Sequence, residues 1–227
     1  MSIANLPDRT LDTRSAKTES CTMTEAHSPA APAAVDGRRA GRERNRNAVV
    51  DALLDLYQDG AINPGAQDVA DRSGVSRRSL FRYFDDMDEL CRVAIDRHSA
   101  RVSHLFEIED LGEGPLAARI DRIVRQRTRL FETIAPVARI ARLRAPSQPI
   151  IASELARSAA LLRAQLARHF ARELDGLDPA TRSETLAAAD VLTSFESFDL
   201  MRRAQNLSLG DVDAAMRRGL AALLVTP

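Results

Sequence analysis

Apolar residues recur at three- and four-residue spacing along most of this chain, and no stretch shows the strict alternation that a half-buried strand needs. That property narrows the fold, because each segment then carries one apolar stripe that must be buried against another. We expect an all-α protein. Val50, Leu53, Leu54 and Tyr57 mark a first helix over about 43–59, ended by Gly60. Asn63 as N-cap and Pro64 at the first helical position open a short second helix that stops at Gly74. Ser76 caps a third over 77–83, and "DDMDEL" opens a longer fourth with acids in its first turn, where the helix dipole favours them.

Beyond these, Leu116, Ile120, Ile123, Leu130 and Ile134 mark one or two helices, with Val137, Ile140 and Leu143 continuing after Pro136. "RAPSQP" is a break. Ile151, Leu155, Leu162, Leu166 and Phe170 lie on a long helix that ends before Gly176. Asp178 and Pro179 start another, carrying Leu186, Val191, Leu192, Phe195 and Leu200. Val212, Met216, Leu220, Leu223 and Leu224 mark a last helix after Gly210.

The 227 residues suffice for one larger domain or two small ones. Residues 1–40, rich in Ser, Thr, Ala and Pro, lack apolar periodicity and are expected to form a disordered tail. The basic run "RRAGRERNRN" at 38–47 is either a solvated tail or an arm that reaches phosphates or a minor groove. Formal net charge is zero, so any affinity for nucleic acid must come from a local patch. Cys21 in the tail and Cys91 in an apolar-periodic segment do not suggest a disulfide. No apolar run approaches the roughly 20 residues that span a bilayer, and no leader-like segment is recognisable. A soluble, cytoplasmic protein without membrane contact is the expectation.

"AQDVADRSGVSRRSLFRYF" carries the densest information. Ala70 is small where two short helices would cross, Gly74 permits a left-handed turn between them, and Val69, Val75 and Leu80 fill their shared core. This is the pattern of a helix-turn-helix. Leu80 and Phe84, four apart, would hold the second helix to its domain and leave Arg77, Arg78, Ser79, Arg82 and Tyr83 outward. A helix N-terminus with serines and arginines suits phosphate, and an arginine fork also suits guanine O6 and N7 in the major groove.

From about Arg46 to Ile95, through "VVDALLDLYQDG", "AQDVADRSGVSRRSLFRYF" and "DDMDELCRVAI", the chain resembles the DNA-binding domain of the tetracycline-repressor (TetR) family of bacterial transcriptional regulators. The resemblance implies a helix-turn-helix domain over 41–88 and a helical effector-binding and dimerisation domain over 89–227. It implies that Arg77 and Arg78 face bases, that Ser79 and Tyr83 meet phosphates, and that Phe81 and Arg82 lie at the groove. Arg46 and Ser76 complete the expected DNA-binding set. Phe81 stands where tyrosine is common, Pro64 and Gly65 where threonines are usual, and Met87 where a lysine is common, which weakens the expected grip on the backbone. The function implied is a ligand-responsive regulator, a repressor that seats a homodimer on a palindromic operator.

For the dimer, Ala187, Ala188, Val191 and Phe195 on one helix and Met216, Gly219, Leu220 and Leu223 on another supply apolar surface, though each serves the subunit's own core equally well. For an unidentified small-molecule effector, Phe106, Phe131, Phe195, Phe198 and Met201 are candidate lining, with His104 or His169 as a polar contact. Arg119, Arg122, Arg125 and Arg129 share one helical side and read as solvated charge, an anionic ligand such as an acyl thioester being the alternative. No metal-ligand spacing, Gly-rich phosphate loop or nucleophile elbow appears, so no catalytic residue, metal or cofactor is expected. The rival reading is a helical adaptor that binds proteins and not DNA. It leaves the arginines of the third helix unexplained.

Overall fold

A computed structural model describes residues 32–225, with side chains from residue 37. Among the described residues every regular element is helical. In chain order they are α1 (Pro32–Gln58), α2 (Ala66–Ser73), α3 (Arg77–Tyr83), α4 (Met87–Val102), α5 (Leu116–Arg144), α6 (Pro149–His169), α7 (Ala171–Leu174), α8 (Pro179–Leu192), α9 (Phe195–Asp199) and α10 (Leu209–Leu224). Short 3₁₀ turns follow α4 and α5, and a π-turn over Leu200–Ala204 follows α9. No helix among the described residues is long and apolar enough to cross a membrane.

Several boundaries differ from expectation for local reasons. Helix α1 already begins at Pro32, so 32–40, expected in the disordered tail, is helical, as is the basic run. Proline is tolerated in a first turn, whose N–H groups have no partner inside the helix, and Ala, Arg and Glu extend the helix readily. Residues 1–31, with Cys21, lie outside the described part. Helix α2 is capped at Gly65 and not at Asn63: the Gly65 N–H donates to the Asp68 carboxylate at 2.7 Å. Pro136 does not divide α5. It faces solvent, where water can replace the hydrogen bond that proline cannot donate. The segment through Leu200 is not one helix, because the Thr193 hydroxyl donates back to the Ala189 carbonyl (2.8 Å) and Ser194 caps a new helix by accepting from the Ser197 N–H (3.1 Å). Helix α10 starts one residue before Gly210, capped by Ser208.

Two apolar cores result. The first gathers Val49, Val50 and Leu53 of α1, Val69 and Val75, Leu80 and Phe84, Leu90 and Ala94 of α4, and Ile140 near the end of α5. The second joins Ile123, Leu130 and Phe131 of α5 to Leu166, Phe170 and Phe198, with Val212, Met216 and Leu220 of α10. Helix α5 therefore enters both. Buried polar groups fix its partner. Arg127, wholly buried, donates to the Gln165 side chain (3.0 Å) and the Leu162 carbonyl (2.8 Å) of α6, and burial pulls its guanidinium down to about 10. Gln126 and Gln165 then donate to the carbonyls of Leu105 (2.6 Å) and Phe106 (2.5 Å), fastening the turn after α4.

Arg119 is buried, paired with the Glu173 carboxylate and donating to the His169 carbonyl at 2.8 Å, so the arginine side read as solvated is not solvated at this position. Arg122 donates to the Asp110 and Glu113 carbonyls (3.0 Å each), while Arg125 and Arg129 are exposed. His169 is buried between these elements: Nδ1 accepts from the Gly112 N–H and Nε2 donates to the Arg119 carbonyl, both at 3.0 Å. The bond accepted at Nδ1 requires the neutral ring. Burial, the largest influence, holds its pKa below the ordinary histidine value, against the opposing pull of the Arg119 carbonyl.

The unfolded chain thus binds a proton near pH 6.5 that the folded chain refuses. The stability from this site is complete above about pH 6.5 and is lost as pH falls through the depressed folded-state value. Glutamine can supply the same acceptor and donor without titrating, so His169→Gln is expected to flatten the fall in urea midpoint between about pH 7 and pH 5. An unchanged slope would assign it to other groups.

Candidate functional site

Helix α3 is held from below and open above. Gly74, at φ 69°, makes the left-handed turn out of α2, and Ser76 caps α3 by accepting from the Ser79 N–H at 3.2 Å. Leu80 and Phe84 are buried beneath the helix, while Arg77, Arg78, Phe81 and Arg82 are exposed and Ser79 is half-buried. The Arg77 guanidinium lies 5.9 Å from the centre of the Phe81 ring. The face therefore offers three arginines around one aromatic ring, and α3 itself has no acidic residue.

Two expected DNA-binding residues are placed differently. The ring of Tyr83 belongs to the first core; only its hydroxyl remains at the edge, accepting from Asn45 Nδ2 (3.5 Å) and Arg82 Nη2 (3.4 Å). The Asn45 bond first, and Arg82 second, lower the phenol pKa from its ordinary value. With both bonds accepted, the hydroxyl proton is left to donate. Arg46 stacks over Phe84, 4.9 Å from the ring centre, and is half-buried. Its position i, i+4 from Val50 turns it towards the core, and the exposed basic residues of α1 are Arg38, Arg39, Arg42 and Arg44. Asn45 was not anticipated; it bears no charge and meets Tyr83 only through folding.

A second feature is a cavity of about 680 Å³ among α4, α5, α6 and the start of α9, reaching Leu54 and Tyr57 of α1. Phe106, Phe131 and Phe195 line it. Phe198 and Met201 do not: the break after α8 turns them into the second core, where Phe198 packs 5.7 Å from Phe131. His104 is exposed on the turn after α4, and His169 is committed elsewhere, so neither supplies a polar contact. His98, Tyr57 and Arg144 line the cavity instead. Burial lowers the His98 pKa and pushes the Cys91 thiol up to about 11, so the cavity's thiol is unreactive near neutral pH.

Residues 50–94 match the family model for bacterial regulatory proteins of the tetR family. Over these 45 residues, which include the helix-turn-helix, the chain is similar to bacterial regulators of the tetR family. The fold agrees beyond that segment. A TetR-family regulator from Streptomyces coelicolor superposes with a TM-score of 0.61 at 19% identity, over 78% of this chain and 81% of that one. A transcriptional regulator from Rhodococcus sp. Rha1 gives 0.59 at 19% identity, over 82% and 99%. At such identities the likeness is one of fold. No match was found among curated protein sequences. The TetR family is not one of enzymes, and among the described residues no cluster of His, Cys, Asp or Glu could hold a metal ion.

The expected interface residues divide by burial. Met216, Leu220 and Phe195 lie inside the subunit's own second core and cannot face a partner, because apolar spacing alone does not say which neighbour a stripe meets. Ala187, Ala188 and Val191 are exposed on α8, and Leu223 is half-buried on α10. Gly219 serves α8–α10 packing: a Cβ there would lie 2.5 Å from Leu192 Cδ2.

The turn before α3 gives a direct test. Gly74→Ala has open space around it but must hold φ 69°, so it is expected to cost about 1–2 kcal/mol through strain alone. Urea unfolding would measure it; no loss of stability would mean that the turn relaxes.

Proposed function

We propose that this regulator is a ligand-responsive repressor, a homodimer that places its two α3 helices in successive major grooves of a palindromic operator. The observation that carries the reading is the two-sided character of α3, with Leu80 and Phe84 buried and Arg77, Arg78 and Arg82 exposed. In this reading Arg77 and Arg78 address base edges, Ser79 and the Tyr83 hydroxyl meet phosphates, and Phe81 and Arg82 border the groove. Ser76 keeps its role as the cap of α3, and Arg46 holds the first core by its stack on Phe84. Arg42, on the same helix as Asn45, extends the basic face towards the backbone.

The exposed small and apolar residues of α8 support the dimer, since an exposed apolar patch seeks cover. A seated dimer represses by occlusion, with no further contact to polymerase needed. The cavity's volume and mostly apolar lining suit a small effector, within the roughly 300–1,000 Å³ of ligand pockets. Effector binding then favours a geometry that misplaces the paired α3 helices.

Fluorescence anisotropy against the DNA flanking its own gene tests the reading. Wild-type binding should weaken steeply with salt, and Arg77→Ala or Arg78→Ala should each lose about ten- to a hundredfold at the specific site while affecting random DNA less. Equal losses on both DNAs would reassign these arginines to phosphates. For the dimer, Ala188→Glu is expected to yield monomers in sedimentation velocity, with operator affinity falling in parallel. A dimer that persists would move the interface off α8.

A further inference from the structure

Three arginines and three carboxylates line the cavity, but they do not pair one to one. Its three carboxylates are each already held by an arginine: Glu154 by Arg157, Asp190 by Arg163 at 3.2 Å, and Glu196 by Arg142 at 2.6 Å. Arg144, at the C-terminal end of α5, is nine-tenths buried, and among the described residues no carboxylate pairs with it. Its guanidinium lies over the Tyr57 ring, 5.1 Å from the centre, and donates to the Tyr57 hydroxyl. Burial depresses its pKa. A desolvated cation beside a phenol is much less well compensated than one beside an anion, so Arg144 lacks the negative charge that would compensate it.

The remaining lining says what should carry that charge. Ile95, Val102, Phe106, Phe131 and Ile134 give the same cavity an apolar lining. One guanidinium fork matches one carboxylate in bidentate fashion, whereas a phosphate dianion would bring an excess charge into apolar surroundings. We propose that the cavity binds an amphipathic carboxylate, its apolar body along α4 and α5 and its head on Arg144, which it draws away from the Tyr57 hydroxyl. This rests on the reading of the cavity as an effector site.

The consequence is regulatory. Tyr57 belongs to α1 and to the core beneath α3, so its contact with Arg144 is a polar tie between the cavity and the DNA-binding helices. A carboxylate that competes for the guanidinium loosens that tie, and its differential affinity for the loosened state is the coupling energy.

Titration calorimetry on the full chain tests this with n-alkanoates from octanoate to tetradecanoate, each beside the alcohol and the trimethylammonium salt of equal chain length. At least one alkanoate should bind about tenfold or more tightly than its alcohol, the range of a charge-assisted hydrogen bond. Arg144→Gln should equalise the two and Arg144→Lys should keep part of the preference. With no Trp and two Tyr in the chain, a Tyr83→Phe protein reports Tyr57 alone by intrinsic fluorescence. That signal should respond to alkanoate and not to alcohol, and it serves even if Arg144→Gln does not fold. An alcohol bound as tightly as its alkanoate would overturn the carboxylate assignment and leave the effector site standing. A preference that survives Arg144→Gln would overturn the placement of the head on Arg144. If no member of the three series binds, the effector reading fails and this proposal with it.

Discussion

Helix α1 has to satisfy two sets of neighbours, and the rest of the molecule follows from how it does so. One face of its C-terminal half packs Val49, Val50, Leu53 and Leu54 against α2, α3 and α4, each almost wholly buried. At roughly 1.5–3 kcal/mol per buried side chain, that face outweighs the ion pairs beside it, which are partly exposed and contribute ~1 kcal/mol or less. The ion pairs set register instead. Asp51 receives Arg97 at 3.1 Å and Arg101 at 2.6 Å, both from α4, and Arg97 also donates to the Asn47 carbonyl. Apolar burial decides that the helices meet; the arginine clamp decides at which turn.

The same division explains what the sequence disclosed. Features closed within a few residues were legible: the Ser76 cap, the turn at Gly74, the Leu80–Phe84 pair, the acid-rich start of α4. Their chemistry is local, and the all-helical class follows from periodicity alone. The exposed face of α3 was legible for the same reason, except that Tyr83 sends its ring inward. The cavity was not. Tyr57 and Arg144 are 87 residues apart, and no spacing rule joins them. Nor does the stripe of α10 announce its neighbour, so Met216 and Leu220 read as well for a partner as for the core they occupy. Arg119 is the sharpest case, an arginine among arginines whose burial depends on Glu173, 54 residues later.

Helix α5 is the mechanical counterpart of α1. It carries Arg127, locked into α6 by side-chain and carbonyl acceptors, and about one turn before its end it places Ile140 in the first core. Because Pro136 leaves it continuous, these contacts ride on one rod. The turn that bears Phe106 is fastened to α5 and α6 by Gln126 and Gln165, so the cavity wall and the rod are positioned by a shared set of hydrogen bonds. A buried polar network of this kind is costly to break in part, which favours two discrete arrangements over a graded one.

The arginines left exposed on α1 and α3 sit in a chain whose formal charges sum to zero, so the balancing acids lie elsewhere on its sequence. Such a molecule gains nothing from bulk attraction to a polyanion, yet it feels a torque once within a Debye length, about 8 Å at physiological salt. Orientation is thereby selected before contact. Encounters with a polyanion are biased towards the side that carries these arginines.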